Sequence, residues 1–191
     1  MKKTSAALMA VPLAASMLLA ACGGDAKPGA SSSSTPTSSP TTTAPPTVSP
    51  TTDPNIPVAA RAHTPAGAEA FVRYFIERLN VAWTGPQVGI LPPLCQASSK
   101  ACAAYETTAT RLTTQGHRYD ENPVTIKAIG ALDSASPNHL DVVANVVQEP
   151  RSEIDAAGKT IVTDKRKDLR LDFELLQTSQ AWSVASIKIM K

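Results

Sequence analysis

Leu169-Arg170-Leu171-Asp172-Phe173-Glu174-Leu175 alternates apolar and charged side chains without a break. That two-residue period belongs to a β-strand with one face on a core and the other in water. It lies within the third of four such segments, which we read as strands over Val124 to Leu132, His139 to Gln148, Ile161 to Leu176, and Trp182 to Met190. The separators are turn-forming: Asp133 to Asn138 with Pro137, the stretch from Pro150 to Gly158, and Thr178-Ser179-Gln180. In the last strand Trp182 and Val184 share one phase, and Ile187 and Ile189 the other. Both pairs can face one core only if a bulge or bend intervenes near Ala185-Ser186.

Upstream of Gly116 the period is helical. Thr64-Pro65 offers a capping hydroxyl followed by proline at the first helical position, where a missing N–H costs nothing. Ala68, Phe71, Val72, Phe75, Ile76, Leu79, Ala82 and Trp83 then recur at three- and four-residue spacing, and Thr84-Gly85-Pro86 stops the helix, with Gly85 expected as a left-handed cap. A helical turn is expected between Gln87 and Leu94. A second helix should run from Ser98 or Ser99 to Gln115, with Ala101, Ala104, Tyr105, Thr108 and Leu112 on its core face. Helices first and an antiparallel meander afterwards predict an α+β domain, two helices packed on one face of a curved, cone-like four-stranded antiparallel sheet.

The chain ahead of this domain has a different composition. Lys2 and Lys3 precede an apolar run from Ala6 to Ala21 that ends in Leu19-Ala20-Ala21-Cys22. Such a run is too short for a stable transmembrane helix, and small residues before the cysteine suit a signal peptidase. The pattern matches the lipobox of bacterial lipoproteins, in which the cysteine sulfur is lipidated and becomes the new N-terminus. The expected organisation is a leader over 1–21, the lipidated Cys22 and a Ser/Thr/Pro-rich tether over 22–57, and one α+β domain over 58–191. The tether has almost no side chains able to build a core, and its reach is ~35 Å as a coil or ~100 Å fully extended. These features place the protein on the extracytoplasmic face of the cell membrane, held by the lipid on Cys22.

With Cys22 lipidated, Cys95 and Cys102 remain, an even pair in an oxidising compartment. Within one helix their Cα atoms would stand ~10.5 Å apart, beyond the roughly 7 Å that a bridge tolerates. A disulfide therefore requires Cys95 in the turn before the second helix. The whole chain carries 18 Lys and Arg against 16 Asp and Glu. No basic field exists to gather phosphates, so nucleic acid is not an expected partner. Asp164-Lys165-Arg166-Lys167-Asp168 reads as a solvated strand edge.

Gly67-Ala68-Glu69-Ala70-Phe71, Tyr74, Asn80, Leu94-Cys95 and Cys102, behind a lipobox and a Ser/Thr/Pro tether, resemble an uncharacterised family of actinobacterial lipoproteins. The closing Trp182-Ser183-Val184 to Ile187-Lys188-Ile189 strand is similar to that of nuclear-transport-factor-2-like cone folds. The resemblance implies the cone fold and no established activity. Ketosteroid-isomerase-type relatives of that fold place an ionisable pair and a tyrosine in the cone, a set that does not map onto this sequence residue by residue.

No Gly-x-Ser-x-Gly elbow, phosphate-cradling glycine loop or His-Glu-x-x-His occurs. His63, His117 and His139 lie beside turns or termini, where histidine is ordinarily solvated, and have no metal-ligand spacing. Asp141 and Asp172 alternate in the phase of the solvent face. No catalytic residue, metal or cofactor can be named. Aromatic side chains give a lead: Tyr74, Tyr105 and Trp182 are candidates to line a pocket in the cone. No charged residue is committed to the inner face, so the expected ligand is an apolar small molecule, with an envelope protein as another possible partner. A non-catalytic binding module is the favoured reading. The alternative is a small-molecule enzyme, isomerase- or cyclase-like, working in the same pocket.

Overall fold

The computed structural model describes residues 55–132, 136 and 138–190. The leader, Cys22, the tether to residue 54 and turn residues 133–135 and 137 lie outside the described residues.

Helix α2 (Pro65–Thr84) starts as its sequence dictates, with Thr64 extended and its Oγ1 accepting the Gly67 N–H at 3.1 Å. A short helix α1 (Val58–Arg61), absent from the sequence reading, precedes it. Ile56, which the sequence reading leaves in the tether, is only 2% exposed. The packed chain thus begins before Val58. Gly67 allows α2 to lie close against the chain leaving α1, since a Cβ there would stand 2.0 Å from the Ala62 carbonyl oxygen. Gly85 has φ −123°, so α2 does not end on a left-handed glycine. It ends because a residue ahead of proline is held out of helical angles.

A 3₁₀ turn, Pro92–Leu94, delivers Cys95 to Cys102 in helix α3 (Lys100–Gln115). The two cysteines are bonded with their Cα atoms 6.4 Å apart. The Gln96 N–H donates to the Val184 carbonyl at 2.9 Å, which ties the bridged loop to the last strand. Gly116, at φ 65°, closes α3 in the left-handed conformation.

Among the described residues seven strands follow: β1 (Arg118–Tyr119), β2 (Val124–Ala131), β3 (His139–Gln148), β4 (Ser152–Ile154), β5 (Thr160–Thr163), β6 (Lys167–Gln177) and β7 (Trp182–Met190). The main sheet has the order β2-β3-β6-β7 and a smaller one the order β1-β4-β5, all antiparallel. The expected strand from Ile161 to Leu176 is therefore two strands in two sheets. Alternation reports which face a residue takes and cannot report a change of partner, and residues 164–166 make the crossing.

In β7 the register moves from Leu175 opposite Val184 to Glu174 opposite Ser186. Ala185 is the extra residue, and Val184, Ile187 and Ile189 consequently share the face of Leu175, Phe173 and Leu171. Phe71, Val72 and Phe75 of α2 pack on that face against Val142, Phe173 and Leu175, with the Phe75 and Phe173 rings edge to face at 5.8 Å. Each such side chain contributes about 1.5–3 kcal/mol through burial. Two polar sutures fix α2 on edge strand β2. Asn80 donates to the Val124 carbonyl at 2.8 Å and accepts the Val124 N–H at 3.0 Å, while Glu69 accepts the Ala131 N–H at 3.0 Å.

Candidate functional site

The α3 stripe expected to join the core divides. Leu112 is buried and Ala104 is exposed, whereas Ala101, Tyr105 and Thr108 line a cavity of about 620 Å³ between the helices and the sheet. Its floor is the inward phase of four strands: Val124 from β2, Val146 from β3, Leu169 and Leu171 from β6, Ile187 and Ile189 from β7. Ile76, Leu79 and Trp83 of α2, at three- and four-residue spacing, form the facing wall. A volume of this size suits a small organic ligand, which ordinarily occupies a largely apolar cleft with a few polar groups at fixed points.

Aromatic rings hold the wall. Trp83 meets Tyr105 edge-on at 5.8 Å and stacks on Tyr119 at 5.9 Å, and its indole N–H donates to the Tyr105 carbonyl at 3.3 Å. The indole polar atom is thereby satisfied within the wall, leaving carbon surface as its contribution to the cavity.

The polar end is built by the small sheet and the crossing between sheets. Tyr119 Oη donates to Asp164 Oδ2 at 2.7 Å, and Gln148 Nε2 donates to the same oxygen at 3.0 Å. Burial first, then the bond to Asp164, raises the Tyr119 phenol far above its ordinary 10.0 and keeps it a neutral donor. Burial also raises the Tyr105 phenol. Behind this end, opposite Tyr119 in the β1–β4 register, lies buried Glu153. Arg111 grips both its oxygens at 2.8 Å, and His117 Nδ1 stands 2.7 Å from Oε1. The Arg111 bond foremost, with His117 adding to it, holds the Glu153 carboxyl below its ordinary 4.5 despite burial. The guanidinium that reaches the cavity is thus already neutralised.

Of the three aromatic residues proposed from sequence, the structure brings only Tyr105 to the cavity. Tyr74 is buried two positions from Ile76, on a different side of α2 from the cavity wall. Trp182 is 5% exposed and packs in the core, its Nε1 donating to the Ala62 carbonyl at 2.9 Å and its ring edge-on to His63 at 5.8 Å. The bulge at Ala185 separates it from the part of β7 that faces the cavity.

The expectation that no charge faces inward is also corrected, since Asp164, Lys167 and Arg111 line the cavity. The 164–168 segment is accordingly not a plain solvated edge, although its Arg166 does pair with Glu149 and Asp168 at 3.3 and 3.1 Å. His117 is held by buried Glu153, and His139 stands 3.3 Å from Asp141 and 3.7 Å from Glu174. Asp141 and Asp172 lie on the outer face of the sheet, opposite Glu174 and Lys188 respectively.

Gln148 and Lys167 had a signal, for each continues the inward phase of its strand by one step. Tyr119 and Asp164 had none, because two-residue pairings and a crossing leave no period. Among the described residues no group of three or more His, Cys, Asp or Glu side chains could hold a metal. A second hollow, about 410 Å³, lies beside the disulfide along α3. Of its lining residues, Ser99 Oγ and Glu106 Oε2 are buried atoms without a hydrogen-bond partner among the described residues.

No protein-family model matches the chain, and no curated protein does. Among solved structures, the intermembrane space region of the chloroplast protein ARC6 is similar at 13% identity and a TM-score of 0.49, over 66% of this chain and 96% of that one. Aln2 from a Streptomyces species is similar at 12% identity and a TM-score of 0.45, over 65% and 90%. A protein with a cystatin-like fold from Caulobacter vibrioides is similar at 12% identity and a TM-score of 0.40, over 63% and 87%.

Proposed function

We propose that this is a non-catalytic binding module, tethered to the extracytoplasmic face of the membrane by a lipid on Cys22, that holds an apolar small molecule in the cone. The observation that carries the binding reading is the cavity of about 620 Å³, apolar along its length and polar at one end. A cone without a ligand role would be filled by side chains, as it is around Phe173. The lipobox supports the tether, and the resemblance to actinobacterial lipoproteins supports the same address.

Asp164 is the carboxylate an isomerase or cyclase reading would need. Its Oδ2 is already occupied by Tyr119 and Gln148, which favours binding over chemistry. The test is a titration of the folded protein with N-phenyl-1-naphthylamine, a neutral apolar dye. Saturable dye emission, lost when Ala101→Phe fills the cavity from α3, is expected. Dye emission that neither saturates nor responds to Ala101→Phe sinks the binding reading. For the tether, Cys22→Ser should shift the protein from the membrane fraction, and identical fractionation would refute the anchor.

A further inference from the structure

The groups at the polar end of the cavity limit the headgroup a ligand can carry, an inference that rests on the cavity being the binding site. Asp164 Oδ2 is occupied by two protein donors, while among the described residues Oδ1 has no hydrogen-bond partner. Lys167 lines the same cavity and makes no ion pair among the described residues. Arg111 is committed to Glu153. The groups left for a ligand are therefore one anionic acceptor, half-buried, and one cationic donor, exposed at the mouth.

A carboxylate head would meet Lys167, yet it would bring a negative charge toward Asp164 and has no proton to place on Oδ1. An ammonium head would meet Asp164 and be repelled by Lys167. A neutral head with two hydroxyls satisfies both, one O–H donating to Asp164 Oδ1 and the other oxygen accepting from Lys167 Nζ. We infer that the cavity takes an amphiphile with a neutral, hydroxyl-bearing head, of the kind found in a fatty-acid monoester of glycerol. The apolar body lies along Leu169, Leu171 and Ile187, and the head sits at Asp164 and Lys167.

The experiment is displacement of bound N-phenyl-1-naphthylamine by three ligands of equal chain length: monodecanoylglycerol, decanoate and decylamine. Monodecanoylglycerol should displace the dye at roughly tenfold lower concentration than either charged ligand, the effect of one charge-assisted hydrogen bond. Asp164→Asn should reduce that margin to about two- to threefold, and the exposed Lys167→Gln should improve decylamine relative to decanoate while leaving the fold intact. Equal displacement by all three overturns the headgroup inference and leaves the cavity reading standing, and tightest binding of decanoate or decylamine overturns it as well. If the dye itself does not bind, the cavity reading fails and takes the headgroup inference with it.

Discussion

The two ends of this cone are built from the same helix pair and the same sheet, yet one is packed and the other open. At the packed end Trp182 is 5% exposed, the Ala62 carbonyl accepts its indole N–H, and the bridged loop is pinned to β7 beside it through Gln96. At the open end Trp83 spends its N–H within a wall of aromatic rings and turns carbon surface toward a cavity. The difference lies in what closes each end. The chain through α1 and the disulfide loop packs on one, whereas the small sheet borders the other, with Tyr119 bonded to Asp164 and with Arg111 and His117 on buried Glu153.

The largest effect that could break this comparison is at the tryptophans. Trp182→Ala should cost about 3–5 kcal/mol, the range for removing a large aromatic from a packed core. Trp83→Ala should cost only about 1–2 kcal/mol, since part of its surface already faces a void. Urea denaturation of both variants checks this, and equal losses would mean that the two ends are packed alike.

Reducing the Cys95–Cys102 bridge should lower stability by about 2.5 kcal/mol for so short a loop, a figure from the chain-entropy account. Because the bridge belongs to the packed end, dye affinity at the cavity should stay within about twofold. Calorimetry with and without reductant, paired with the dye titration, measures both, and a cavity that fails on reduction would show the ends to be coupled.

Asn80→Ala should cost about 2 kcal/mol, because it strips both hydrogen bonds from the Val124 backbone at once. Hydrogen exchange should accelerate at Val124 and stay slow at Phe173 if the effect is confined to the open end.

The smallest effect concerns acid. The folded-state pKa of Glu153 lies below its ordinary 4.5, so its contribution is complete above that value and fades as pH falls through the folded value. Wild-type protein should therefore lose more stability between pH 5 and pH 3 than Glu153→Gln, read as the shift in urea midpoint. Parallel curves would show that the cluster does not support the open end.

How much of this is legible in the sequence follows from the kind of signal each element leaves. The strand around Phe173, the helix behind Thr64, the end of α3 at Gly116 and the bulge at Ala185 are all readable, because period, cap and phase are local properties of consecutive residues. The segment from Ile161 reads as one continuous strand and is not, since a change of pairing partner need not disturb alternation. Tyr105 is identifiable as a pocket residue, but Trp182 and Tyr74 are not distinguishable from it, because large aromatics on apolar faces look alike until their neighbours are known.

The sequence alone determined that helices precede an antiparallel sheet, which face the long strands would bury and the loop position Cys95 needs for its bridge. These depend on backbone geometry over a few residues, which side-chain type and spacing control directly. Only the tertiary structure decided that the inward phase of β3 and β6 runs out of core at Gln148 and Lys167, and that Tyr119 and Asp164 meet there across 45 positions of chain. Whether an inward side chain meets another side chain or a void is set by the elements that pack over it from afar, and no local period records that distance.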